Sequence, residues 1–158
     1  WSDINIKSDT LRIFNAHMGS IRFNHSDYNI IGGKGSPLWP HQKIPEQDIY
    51  NRLKIGFSKR SKQIKELFPK IKKSPYNNII CVDLNDTPLS YAYNQFNNHF
   101  KDAFTISGFG FGGTYIGKIP FLRIDYIWHD QNLQSLNFKT HKSEFSDHRA
   151  ISTEILIH

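Results

Sequence analysis

Residues Asn78 to Val82 are apolar at every position after the first, running Asn78-Ile79-Ile80-Cys81-Val82 before Asp83. A strand apolar on both faces has to be covered on both faces. The sequence before it, from Glu46 to about Lys72, has the other period. Ile49, Leu53, Phe57, Ile64, Leu67, Phe68 and Ile71 recur at helical spacing, while Lys54, Lys59, Arg60, Lys62, Lys65, Lys70, Lys72 and Lys73 read as its solvated face. Ser74-Pro75 ends the helix. Strands alternating with helices, together with several strand-to-strand steps, predict an α/β class with a mixed sheet arrangement, which a second sheet is needed to cover.

The remaining segments fit that frame. Ser2 to Ile6 and Leu11 to His17 read as a hairpin joined by Lys7-Ser8-Asp9-Thr10, with Leu11, Ile13 and Asn15 on one face. Asn24 to Pro45, rich in Gly and Pro, reads as a long irregular loop, a length that compact domains reserve for function or mobility. Leu89 to Asn97 is expected as a short helix with Pro88 near its start. The glycine-rich stretch Ser107 to Gly117 is expected as a loop able to approach a ligand closely. Leu122 to Trp128 and Ala150 to Ile157 read as strands, with Leu136 to Thr140 a weaker one.

With 158 residues, 38% of them apolar, the chain supports one domain with a real core, 1–158. Its formal charge of +6 favours polyanionic partners without selecting one. Cys81, the single cysteine, lies in the apolar run and reads as a small buried hydrophobe, so no intrachain disulfide forms. No stretch approaches the length of a membrane span, so no transmembrane segment is expected in this chain. The chain opens on Trp1 and an alternating segment that needs a neighbour, which leads us to expect further sequence upstream.

Four polar groups interrupt or end the apolar strands: Asn15/His17, Asp83/Asn85, Asp125 and Asp147-His148. Each alone has a plain reading. Asp125 fits a satisfied structural carboxylate, Asp147-His148 a turn, His17 an ordinary histidine, and Asp83-Leu84-Asn85-Asp86-Thr87-Pro88 turn and helix-cap chemistry. Four coincidences in one small chain are less economical than one shared site. Together they supply hard oxygen ligands for Mg²⁺ or Mn²⁺ and carboxylates that orient and charge a histidine.

Asn15-Ala16-His17-Met18, Val82-Asp83-Leu84-Asn85-Asp86-Thr87-Pro88, Arg123-Ile124-Asp125-Tyr126-Ile127 and Ser146-Asp147-His148 resemble, in order, four successive motifs of the endonuclease/exonuclease/phosphatase superfamily. The basic helix before Asp83 and the Thr114-Tyr115 loop extend the resemblance to bacterial members and to nearly the whole chain. It implies a four-layer αββα sandwich of two mixed, largely antiparallel sheets, lacking its N-terminal part, with the site at one end between the sheets.

By position, the resemblance implies that Asp83 orients or deprotonates the attacking water and Asn85 contacts the scissile phosphate or the metal. His17 would donate to a phosphate oxygen, Asp125 would pair with His148, and Asp147 would bind metal directly or through water. Asn15, Arg22 and Tyr115 are expected to touch substrate, with Lys34, Phe109 and Phe111 as weaker candidates in the same loops. Val82 stands where the family usually has Gly. The family's early Asn and metal-binding Glu have no counterpart, since Glu46, Glu66, Glu144 and Glu154 are the chain's glutamates and none follows an early strand.

The expected activity is therefore a divalent-metal-dependent phosphodiesterase or nuclease acting through activated water. The alternatives are a phosphatase or lipid phosphodiesterase of the same chemistry, and a truncated, non-catalytic binding module. Weak metal binding and poor turnover are expected of the 158 residues alone unless a missing N-terminal half or second chain completes the site. The partner implied is a phosphoester substrate, nucleic acid among the options. Bacterial relatives often carry N-terminal membrane segments, which would make the whole protein membrane-tethered or exported.

Overall fold

In the computed structural model the described residues are 1–21, 46–117, 119, 121–142 and 145–157. The expected Asn24–Pro45 loop, with Arg22 and Lys34, lies outside them, as does Glu144. The chain begins with β1 (Ser2–Ile6) and β2 (Asp9–His17), followed by the long helix α1 (Glu46–Lys72). Next come β3 (Asn77–Asp83), α2 (Tyr91–Asn97), β4 (Lys101–Asp102) and α3 (Ala103–Ser107). Strands β5 (Asp125–His129), β6 (Gln134–Thr140) and β7 (Ile151–Leu156) close the fold. No helix among the described residues is long and apolar enough to cross a membrane.

A five-stranded sheet runs β1-β2-β3-β5-β4, and β6 and β7 form a separate two-stranded sheet. β2 and β3 are parallel, and every other pair is antiparallel. Alternation along the central strands sorts their side chains into two cores. Phe14, Ile80, Val82, Tyr126 and Trp128 pack on one face against Ile64 and Ile71 of α1 and Ala92, Tyr93 and Phe96 of α2. Leu11, Ile79 and Ile127 face the other way, towards Phe138 of β6 and Ile151 and Ile155 of β7. The both-faces-apolar run thus sits between helices and a second sheet, as its composition demands. Helices, large sheet and small sheet are three of the four layers expected. A helical layer outside β6 and β7 is not among the described elements.

Several local expectations need correction. The hairpin turn is tighter than read: Ile6 pairs with Asp9, and Lys7 at φ 55° begins the reversal. Pro88 does not start a helix; Ser90 caps α2, its hydroxyl accepting from the Tyr93 amide at 3.1 Å. β5 begins at Asp125 rather than Leu122 because the preceding residues bond to the glycine-rich loop: Leu122 O accepts from the Thr114 and Tyr115 amides. The short β4 and α3 have too few residues for a readable period. Arg60, read as part of the solvated face of α1, is 0% exposed.

Candidate active site

The C-terminal ends of the parallel pair β2 and β3 lie side by side, with His17 in register with Asp83. Antiparallel β5 then starts where β3 ends, so Asp125 stands opposite Asp83. These pairings bring three polar residues to one end of the central strands. They line a cleft of about 320 Å³ with Asn15, Cys81 and Ile151. A second recess of about 360 Å³ lies beside α1 and α2, lined by Phe57, Ser61, Asp86, Leu89, Ser90 and Tyr91. Its one carboxylate, Asp86, is already paired with Arg60, so the first cleft is the candidate site.

His148 reaches the cleft from the segment before β7. Its Nδ1 lies 2.9 Å from Asp125 Oδ2. A carboxylate accepts, so Nδ1 carries the proton and Nε2 is left for a substrate. Tyr115 secures the approach: it bridges to His148 along the backbone, and the two rings meet edge to face at 5.5 Å. The Ile116 amide donates to Asp147 O at 2.8 Å, and the Arg149 amide to Thr114 O at 2.7 Å. Thr114, fully buried, accepts from the Ile124 and Asp125 amides at its Oγ1, both at 3.1 Å, and so fixes the start of β5.

Asp83 is the electrostatic centre. Burial, then the neighbouring charge of Asp125, pushes its carboxyl above the usual range, while the Asn85 amide, His148 and His17 oppose the shift. His17 Nε2 stands 3.4 Å from Asp83 Oδ2, and its side chain is 71% exposed. Asn85 adopts the left-handed conformation at φ 52°, which Asn tolerates better than most residues. Its amide donates to Asp83 Oδ1 at 2.9 Å and its side-chain Nδ2 to Met18 O at 3.1 Å. Burial raises the Cys81 thiol, which keeps it an unreactive part of the cleft floor.

Donor atoms of Asp83, Asp125 and His148 all lie within 4.8 Å of one another, close enough to hold a metal ion together. Of the residues expected at the site, Asn15, His17, Asp83, Asn85, Asp125, His148 and Tyr115 are gathered here. Asp147 is exposed and outside that three-residue group. Arg22 lies outside the described residues.

Sequence reading missed the residues behind the site. Arg60 and Gln63 of α1 reach its backbone, Asp86 anchors Arg60, and Thr114 fixes β5. One signal was available for Arg60. Gly56, Arg60 and Ile64 fall four residues apart on a single helical stripe, and all three are buried.

The sequence profile of the endonuclease/exonuclease/phosphatase family matches residues 58–148. Among solved structures, an endonuclease/exonuclease/phosphatase from Bacteroides vulgatus is similar at 21% identity and a TM-score of 0.55, over 65% of this chain and 46% of that one. The mannosyl-6-phosphatase of Bacteroides thetaiotaomicron is similar at 13% identity and a TM-score of 0.55, over 96% of this chain and 53% of that one. The human Nocturnin catalytic domain with bound sulfate has 13% identity and a TM-score of 0.52, over 96% and 51%. At these identities the likeness is one of fold. The chain spans about half the length of these structures. No curated protein matches its sequence.

Proposed function

Since the chain belongs to the endonuclease/exonuclease/phosphatase family, whose members are generally hydrolases of phosphoesters, we propose that it carries the catalytic end of a metal-dependent phosphodiesterase or nuclease. The observation that supports this most is the convergence of Asp83, Asp125 and His148 within 4.8 Å, with His148 already oriented by Asp125. Two carboxylates facing each other at the end of β3 and the start of β5 repel, and burial together with Asp125 raises the affinity of Asp83 for a proton.

Each residue then has a task. Asp83 takes a proton from the attacking water, a role to which its raised pKa suits it. Asn85, fixed by its bonds to Asp83 and Met18, contacts the scissile phosphate. His17, exposed at the rim, donates to a phosphate oxygen. The water oxygen bonds to phosphorus and the ester oxygen leaves, while His148, held by Asp125 at Nδ1 and protonated at Nε2 as well, donates to the pentacovalent phosphate as negative charge gathers there. Asn15 and Tyr115 flank the substrate.

The donor set fits a hard divalent cation, because carboxylate oxygens of Asp83 and Asp125 sit beside the His148 imidazole. We assign Asn85 and Asp147 as further oxygen ligands, direct or through water, for Mg²⁺ or Mn²⁺. When bound, the ion neutralises charge on the phosphate oxygens.

The test is a panel of DNA, RNA, phospholipid and sugar-phosphate substrates given to the full-length protein with Mg²⁺ or Mn²⁺. Hydrolysis of a nucleic acid that Asp83→Asn and His148→Ala abolish is the expected result. Hydrolysis of none of the panel, or native rates in both variants, would overturn the reading.

A further inference from the structure

Helix α1 sends two side chains to the back of the site. The Arg60 guanidinium is completely buried, with Nε donating to Asp86 Oδ2 at 2.9 Å and Nη1 to the Gly19 carbonyl at 3.0 Å. Gln63, three residues on, accepts the Gly19 amide at 2.8 Å. Both backbone polar groups of Gly19 are therefore held by α1. The helix also lies close: a Cβ on Gly19 would stand 2.6 Å from Lys59 Cδ, and one on Gly56 would stand 2.5 Å from Ile21 Cγ1.

The same backbone is tied from the other side. Asn85 Nδ2 donates to Met18 O at 3.1 Å, and the Met18 amide donates to Asp83 O at 2.8 Å. Met18-Gly19 directly follows His17, and Asp86 directly follows Asn85. Arg60 thus joins the chain just beyond one substrate-facing residue to the chain just beyond the other. A buried ion pair is a weak source of stability, because apolar residues of similar volume often serve as well. What an apolar pair lacks is direction, and a guanidinium fork delivers it to two acceptors at once.

We propose that Arg60 and Gln63 are positioning residues for hydrolysis: they hold the His17 strand end and the Asp83–Asp86 loop in one register, so that His17 and Asn85 meet the same phosphate. This rests on the phosphoester reading above. The residues touch no reacting atom and act through the backbone of Gly19 and through Asp86.

The test uses Arg60→Lys, which keeps the charge but cannot span both acceptors, and Gln63→Leu, which removes the acceptor for the Gly19 amide. Amide hydrogen exchange and steady-state kinetics are measured on the full-length protein, alone and in an Asn85→Ala background. Faster exchange at Gly19 is expected, with kcat lowered by about 10²-fold and KM unchanged, since small misplacements of reacting groups cost that much. In the Asn85→Ala background the further loss should vanish. Unchanged exchange at Gly19, or an equal loss in that background as a purely structural role would give, overturns the proposal. Should Arg60→Lys fail to fold, Gln63→Leu leaves the ion pair intact and gives the same readouts. Exchange does not depend on turnover, so a native protein that hydrolyses no phosphoester removes the proposed function while exchange still decides whether the tie exists.

Discussion

Asp125 Oδ2 and His148 Nδ1 meet at 2.9 Å, across 23 positions of sequence, and this contact joins the first residue of β5 to the segment that leads into β7. It sets both the tautomer and the direction of the imidazole. Asp125→Asn keeps the shape but removes the negative charge and favours the wrong tautomer. We expect kcat to fall by about 10²-fold or more, with the melting temperature little changed. Steady-state kinetics beside thermal melting checks it.

Asp83 carries the opposite lesson about stability. Its folded pKa is raised by burial and by Asp125, so ionisation disfavours the folded state. The stabilising contribution is present below the unfolded carboxylate range and is lost as pH rises through the folded pKa. Asp83→Asn should therefore be more stable than the native protein at neutral pH, and the gain should shrink as pH falls through the carboxylate range. Denaturant melts across pH read this out; a variant less stable at pH 7 would contradict it. Its activity should be lost.

Asn85 separates backbone from side chain. At φ 52° an Ala is strained, whereas Gly is not. Asn85→Gly should be more stable than Asn85→Ala by about 1 kcal/mol, although both lose the bond to Met18 O and both should be catalytically impaired. Equal stabilities would argue against the left-handed conformation.

Asp86 partners a fully buried cation. Its own carboxyl is pushed up by burial and drawn back chiefly by Arg60. Asp86→Ala leaves that charge uncompensated and should destabilise the fold by about 3 kcal/mol or more. A second change, Arg60→Met, should recover much of the loss, as measured by chemical denaturation of the single and double variants.

The donor set leads us to expect metal dependence. Chelation of divalent ions should abolish hydrolysis by the full-length protein, and Mg²⁺ or Mn²⁺ should restore it. Asp83→Asn should raise the Mn²⁺ concentration needed for half-saturation in a direct binding titration, because it removes one carboxylate from the group of Asp83, Asp125 and His148. Activity indifferent to chelator would count against the assignment.

Much of this was readable along the chain. The helix over Glu46–Lys72 and the buried strand before Asp83 were legible because side-chain period and local polarity repeat within a few residues. The candidate site residues were legible because polar groups ending apolar strands are conspicuous, and because their order matched a family pattern. What could not be read was partnership. Arg60 looked like its lysine neighbours, since a helical cation declares its surroundings only when another element arrives. The bonds from Arg60 to Gly19 and Asp86 cross 41 and 26 positions. Thr114 and Asp102 gave no signal either, though one fixes the start of β5 and the other holds the buried Arg123 at 2.5 Å. The sequence by itself determined the long helix, the main strands and the candidate site residues, through forces that act between near neighbours. Only the tertiary structure decided that β2 lies parallel to β3, that Asp125 faces Asp83, and that one arginine of a basic helix is buried behind them, because those outcomes depend on which faces meet across the core.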